Sequence, residues 1–178
     1  MGLKYHDLLE EMMANTEAPS VAPILCAAGE GERRWWYGGG VFTWKITAEQ
    51  SGGAFMMCED EMEQGKVTPL HTHPLSDETF YLLEGEILVH LDGVEHTVGA
   101  GGVMFAPRGL PHAFLVVSPT ARMLTMHTPG ACQEFFTDAS CPLMDGESAG
   151  EVDFDKVRES AAKNPGIELL GPPPFATP

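Results

Sequence analysis

Between residues 41 and 127 apolar and polar positions alternate with a period of two, in short runs broken by turn residues. Residues 41–47 are rich in β-branched and aromatic side chains, as in a strand. The same reading applies to residues 54–58, 79–83, 86–91, 94–98, 102–106, 112–117 and 122–127. Gly52-Gly53 marks a turn, and Asp92-Gly93 is a two-residue hairpin signal. Many short strands with closely spaced turns predict an all-β barrel or sandwich. Strands and long helices do not alternate, which argues against a Rossmann-type sheet.

The flanks read differently. Residues 4–14 place Tyr5, Leu8, Leu9, Met12 and Met13 at helical spacing, an amphipathic helix that must dock on something. Residues 153–163 predict a second helix, capped by Asp153 and stopped by Asn164-Pro165-Gly166. Residues 167–170 are expected to pack back on the barrel. Trp35-Trp36 is read as cover for a core edge. The organisation is therefore an N-terminal helix and extension over 1–34, a β-barrel over 35–130 and a C-terminal extension over 131–178.

Charge narrows the partners. The 178 residues carry 10 basic and 26 acidic side chains, a net charge of −16. Such a body repels phosphate backbones and anionic bilayers, so nucleic acid and membrane surfaces are excluded as partners. No signal-peptide pattern and no long apolar run is present, and the expectation is a soluble, cytoplasmic protein. The four cysteines form no C-x-x-C pair, and Cys58 is expected to be a buried thiol. Residues 65–127 hold only 3 basic and 6 acidic side chains, so most of the acidity lies in the flanks.

The chemistry concentrates in two segments. His71 and His73 are two apart, so on a strand both imidazoles leave the same face. Glu78 follows after Pro74-Leu75-Ser76-Asp77, enough chain to turn and open a neighbouring strand. Pro107-Arg108-Gly109-Leu110-Pro111 then leads into His112. Two same-face histidines, a carboxylate and a distant histidine suit a divalent transition metal. His6, His90, His96 and His127 are read as ordinary polar residues, His90 pointing outward. His127 is the least settled of these, because it ends a strand. Arg108 is read as a solvated turn residue.

Written as spacing, the segments are G-x5-H-x-H-x4-E-x6-G (Gly65 to Gly85) and G-x5-P-x-G-x2-H (Gly101 to His112). They resemble the two signature motifs of the cupin superfamily, with Val116 where the second motif often ends in asparagine. The resemblance implies an all-β cupin double-stranded β-helix, a jelly-roll barrel, here with short N- and C-terminal helical extensions. It implies one divalent transition metal per chain (Ni, Fe, Co, Mn or Zn), with His71, His73, Glu78 and His112 as ligands. The finer likeness is to small one-domain cupins of the quercetin 2,3-dioxygenase-like group. That likeness implies a small aromatic substrate and dioxygen, with Glu78 doubling as general base, and a homodimer involving the terminal regions. The competing class is a non-oxidative cupin: an isomerase, a lyase or a small-molecule binder. An apolar pocket for a flat aromatic is expected from Phe80, Leu82 and Phe114, with Phe55, Met57, Phe105 and Met126 as further candidates. A small aromatic that enters neutral and ionises at the metal suits so acidic a body.

Overall fold

A computed structural model of the chain describes residues 21–144, 146–147 and 150–175. The helix expected over 4–14, and His6 with it, lie outside them. Among the described residues twelve antiparallel strands form two sheets. They are β1 (Arg33–Trp36), β2 (Val41–Ile46), β3 (Met56–Glu63), β4 (Leu70–Thr72), β5 (Asp77–Glu84) and β6 (Glu86–Leu91), then β7 (Val94–Gly99), β8 (Val103–Ala106), β9 (His112–Val116), β10 (Thr120–Thr128), β11 (Ser140–Pro142) and β12 (Glu168–Gly171). The larger sheet has the order β11-β1-β2-β3-β10-β5-β8, and the smaller β12-β4-β9-β6-β7. Among the described residues two helices accompany them, α1 (Gln133–Asp138) and α2 (Phe154–Lys163). The fold is all-β, two antiparallel sheets facing each other, as the motif resemblance implies.

The alternation along each strand sets which side chains meet between the sheets. In β3, Met56, Cys58, Asp60 and Met62 are buried while Glu61 and Glu63 are exposed. In β10 the inward set is Ala121, Met123, Thr125 and His127. In β5 it is Glu78, Phe80 and Leu82. One core cluster, around Phe80, Leu82, Ile87, Val89, Phe114 and Met123, fills the space between the sheets. A second gathers Phe42, Trp44 and Met56 with Phe135 and Phe136 of α1 and Val157 of α2. Cys58 is fully buried in that second cluster.

The β6–β7 hairpin turns at Asp92-Gly93, both with positive φ, and Leu91 pairs with Val94. Helix α2 starts where Asp153 Oδ1 accepts from the Lys156 amide at 3.1 Å. The C-terminal segment does more than flank the barrel. It supplies β11 to one sheet edge, pairing β1, and β12 to the other, pairing β4. Both are three or four residues long, too short to show an alternation, and β11 ends in a proline suited only to an edge. Trp36 both covers a core edge, against Phe42 and Phe136, and faces a pocket described below.

Gly85, the last fixed residue of the first motif, has a structural reason to be glycine. Its φ is +81°, and a Cβ there would lie 2.2 Å from the Thr120 carbonyl oxygen and 2.6 Å from Ser118 Oγ. Gly85→Ala is expected to destabilise the fold by about 3 kcal/mol in urea unfolding, from the strained φ plus the overlap. A loss below about 1 kcal/mol would contradict this close approach.

Candidate metal centre

The site is assembled from two cross-strand pairs, one in each sheet. In the smaller sheet β4 and β9 place His71 directly opposite His112, with ring centroids 4.4 Å apart. In the larger sheet β5 and β10 place Glu78 directly opposite His127. His73, just past the end of β4, stands between them, 5.0 Å from the His71 ring and 4.5 Å from the His127 ring. All five side chains are buried. Sheet register therefore aims the two pairs at one another, and the turn at residues 73–76 joins them.

Backbone carbonyls fix the tautomers. His71 Nδ1 lies 2.8 Å from the Pro69 oxygen, His112 Nδ1 2.8 Å from the Leu110 oxygen, and His73 Nδ1 3.0 Å from the Gly166 oxygen. A carbonyl only accepts, so each Nδ1 carries the proton and each Nε2 presents a lone pair inward. Glu78 Oε2 sits 2.7 Å from His112 Nε2 and 3.5 Å from His73 Nε2. One donor atom from each of His71, His73, Glu78 and His112 lies within 4.8 Å of the others.

Four electron-pair donors so close need a cation between them. A proton can bridge Glu78 to His112, but it leaves the buried His73 Nε2 without a hydrogen-bond partner among the described residues. A divalent transition metal serves all four, and three imidazoles with one carboxylate are a fitting donor set. Burial and the neighbouring His112 and His73 hold His71 well below the ordinary histidine range, hence neutral and ready to ligate. Burial pushes Glu78 upward, but positive charge on His73 and His127 outweighs it and holds the group well below the usual carboxylate range, so a cation among these donors keeps Glu78 ionised.

A second grouping, His73, His127 and Cys132, also lies within ligand reach. Cys132 Sγ approaches His73 at Nδ1, 3.3 Å away. That nitrogen already donates to Gly166, so His73 cannot ligate through it. The tautomer thus favours the set containing Glu78. His127 is fully buried, with Nε2 3.0 Å from Glu78 Oε1 but not aligned as a hydrogen bond. Burial lowers its pKa. Its inward parity with Met123 and Thr125 was the signal that could have placed it in the site. Cys132 follows a loop and carried no such signal.

A cavity of about 90 Å³ opens beside the cluster. Its wall includes His71, His73 and Glu78, the aromatic rings of Trp36, Phe80, Phe114, Phe135 and Phe136, and Ile167 and Leu169. Phe80 and Phe114 meet edge to face at 5.6 Å. The remaining pocket candidates lie elsewhere. Leu82 is fully buried in the first core cluster. Met57 and Met126 pair with each other on the opposite face of β3 and β10 from the buried residues. Phe105 is 55% exposed, because Met104 and Ala106 take the inward positions of β8. Phe55 precedes β3 and does not line the cavity. Arg108 is a half-exposed turn residue whose guanidinium pairs with Asp77 at 2.9 Å and holds that carboxyl down to about 2. The pair ties the loop before His112 to the start of β5.

Comparison with known proteins agrees with the fold. Residues 59–127 match the Cupin_2 family, a cupin domain. Quercetin 2,3-dioxygenase of Bacillus subtilis (strain 168) is 30% identical over 130 residues, 71% of this chain. The chain spans 38% of that protein's length. Among solved structures, KdgF from Halomonas sp. superposes with a TM-score of 0.55 at 18% identity, over 61% of this chain and 94% of that one. A predicted oxalate decarboxylase from Thermotoga maritima superposes with a TM-score of 0.56 at 19% identity, over 60% and 99%. These two share the fold.

Titration of the full chain with Zn²⁺ or Co²⁺ is expected to saturate at one ion per chain. At about 100 times Kd the bound ion should add about 3 kcal/mol of stability, raising Tm by roughly 5–10 °C. His73→Ala should abolish both the binding and the shift. Retention of one ion per chain in that variant would contradict the ligand set.

Proposed function

We propose that this chain, which carries a cupin domain over residues 59–127, is a metal-dependent dioxygenase of the quercetinase type. It opens a flavonol, or a similar small aromatic or enol substrate, with dioxygen. The observation that carries the reading is the convergence of three Nε2 atoms and the Glu78 carboxylate beside a pocket walled by aromatic rings. The match to quercetin 2,3-dioxygenase over 71% of the chain supports the same direction.

His71, His73, Glu78 and His112 would hold the metal, which supplies a positive charge for an ionised phenol or enol oxygen and the redox chemistry of dioxygen. Glu78 is the only carboxylate in this set, and ionised it has a lone pair free to accept a proton. It takes the substrate's hydroxyl proton onto a carboxylate oxygen. His127, packed against Oε1, limits where the carboxylate can swing. The rings of Phe80, Phe114 and Phe136 exclude water and set a flat apolar slot for the substrate.

Oxygen uptake by protein reconstituted separately with Ni, Fe, Co, Mn and Zn, over a panel of flavonols, tests this reading. Uptake with at least one metal is expected. Glu78→Gln should lower kcat by on the order of 10²–10⁴ with that metal. No uptake with any metal would contradict the dioxygenase reading and favour the non-oxidative class.

A further inference from the structure

Two charged side chains in the pocket wall have no part in the metal set. Asp60 is 4% exposed and turned inward on β3. Its Oδ1 accepts from Trp36 Nε1 at 3.1 Å and its Oδ2 from Thr125 Oγ1 at 2.7 Å. Burial pushes this carboxyl above its ordinary range. Lys66 lies at the start of the first motif, and its Nζ donates to the Gly38 carbonyl at 2.8 Å. Burial pulls the ammonium down to about 8, against the stabilising charge of Asp60. Both residues line the cavity that holds His71, His73 and Glu78. They attract each other without forming a direct ion pair among the described residues.

A buried carboxylate and ammonium facing one cavity select a ligand group by charge. A ligand carboxylate is repelled by Asp60 as it is attracted by Lys66, and an amine the reverse, so neither ion gains from both groups. A bare hydrocarbon edge would leave both with unused hydrogen-bonding capacity in a low-dielectric wall. A hydroxyl answers both groups, since its proton donates to the Asp60 carboxylate and its oxygen accepts from the Lys66 ammonium. Trp36 and Thr125 hold the Asp60 carboxylate still, so its orientation is set before a ligand arrives.

We propose that Asp60 and Lys66 together recognise a hydroxyl group on the aromatic substrate, distinct from the oxygen directed at the metal. The inference rests on reading the pocket as the seat of a small aromatic. Asp60 and Lys66 are specificity-determining residues in it.

Calorimetry on the full chain, metal-loaded and metal-free, with three probes tests the assignment: 3-hydroxyflavone, 3,7-dihydroxyflavone and 3,4′-dihydroxyflavone. The readout is the ratio of affinities, not any absolute affinity. At least one dihydroxylated probe is expected to bind about 10- to 100-fold more tightly than 3-hydroxyflavone, the range for a hydrogen bond to a charged group. Asp60→Asn, close to isosteric, and Lys66→Met, which keeps the apolar stem, should each bring that ratio to within about 3-fold of unity. Lys66→Arg should retain part of it. Equal affinities in the parent protein, binding by none of the probes, or a preference that survives both variants would overturn the proposal. A preference that persists in parent protein showing no oxygen uptake with any metal would leave the hydroxyl assignment standing while the dioxygenase reading fell.

Discussion

A single buried carboxylate governs this molecule. Glu78 is 4% exposed and sits at the seam of two sheets, where an uncompensated charge would cost several kcal/mol. The groups that would share a compensating cation with it come from the facing sheet as well as from its own. His112 approaches Oε2 from β9 and His127 approaches Oε1 from β10. The sheets must therefore close to a fixed separation and in one register. A slip of one residue in β10 would turn His127 out and bring Met126 in. The imidazoles in turn depend on carbonyls at Pro69, Leu110 and Gly166 to hold their lone pairs inward.

The last of those carbonyls explains the role of the C-terminal segment. Gly166 lies between α2 and β12, and its oxygen is the partner of His73 Nδ1. The approach is close, since a Cβ on Gly166 would fall 2.5 Å from the Ala131 oxygen. Beyond it, Ile167 and Leu169 join the pocket wall. The segment after the barrel thus both orients a ligand and shapes the space in front of it. The aromatic pair Phe135 and Phe136 on α1 closes the same space from the larger sheet's side, packed on Trp36.

Much of this was legible in the sequence, for definite reasons. The spacing of His71 and His73, the turn before Glu78 and the proline-bracketed turn before His112 each carry a geometric consequence that survives without coordinates. So do the Asp92-Gly93 hairpin and the Asp153 cap. What failed was phase. Alternation shows that a strand has two faces but not which one is buried, and Met57, Phe105 and Met126 lie on the outer one. For residues 122–127 alternation alone allows either Met126 or His127 inward, and pairing with Glu78 decides for His127. Asp60 hid inside the acidic run 59–63, where the flanking glutamates are the solvent-facing positions. Cys132, Gly166 and the β11 and β12 strands act through single contacts in short segments, which leave no periodic trace.

His71, His73, Glu78 and His112, rather than the nearby set containing Cys132, are positioned to hold one cation. X-ray absorption fine structure of the Co²⁺- or Zn²⁺-loaded full chain tests this directly, because sulfur and nitrogen or oxygen scatter at distinguishable distances. Only nitrogen and oxygen neighbours are expected, at about 2.0–2.2 Å, with the outer-shell signature of imidazole. A sulfur neighbour at about 2.3 Å would place Cys132 on the metal and contradict this ligand set.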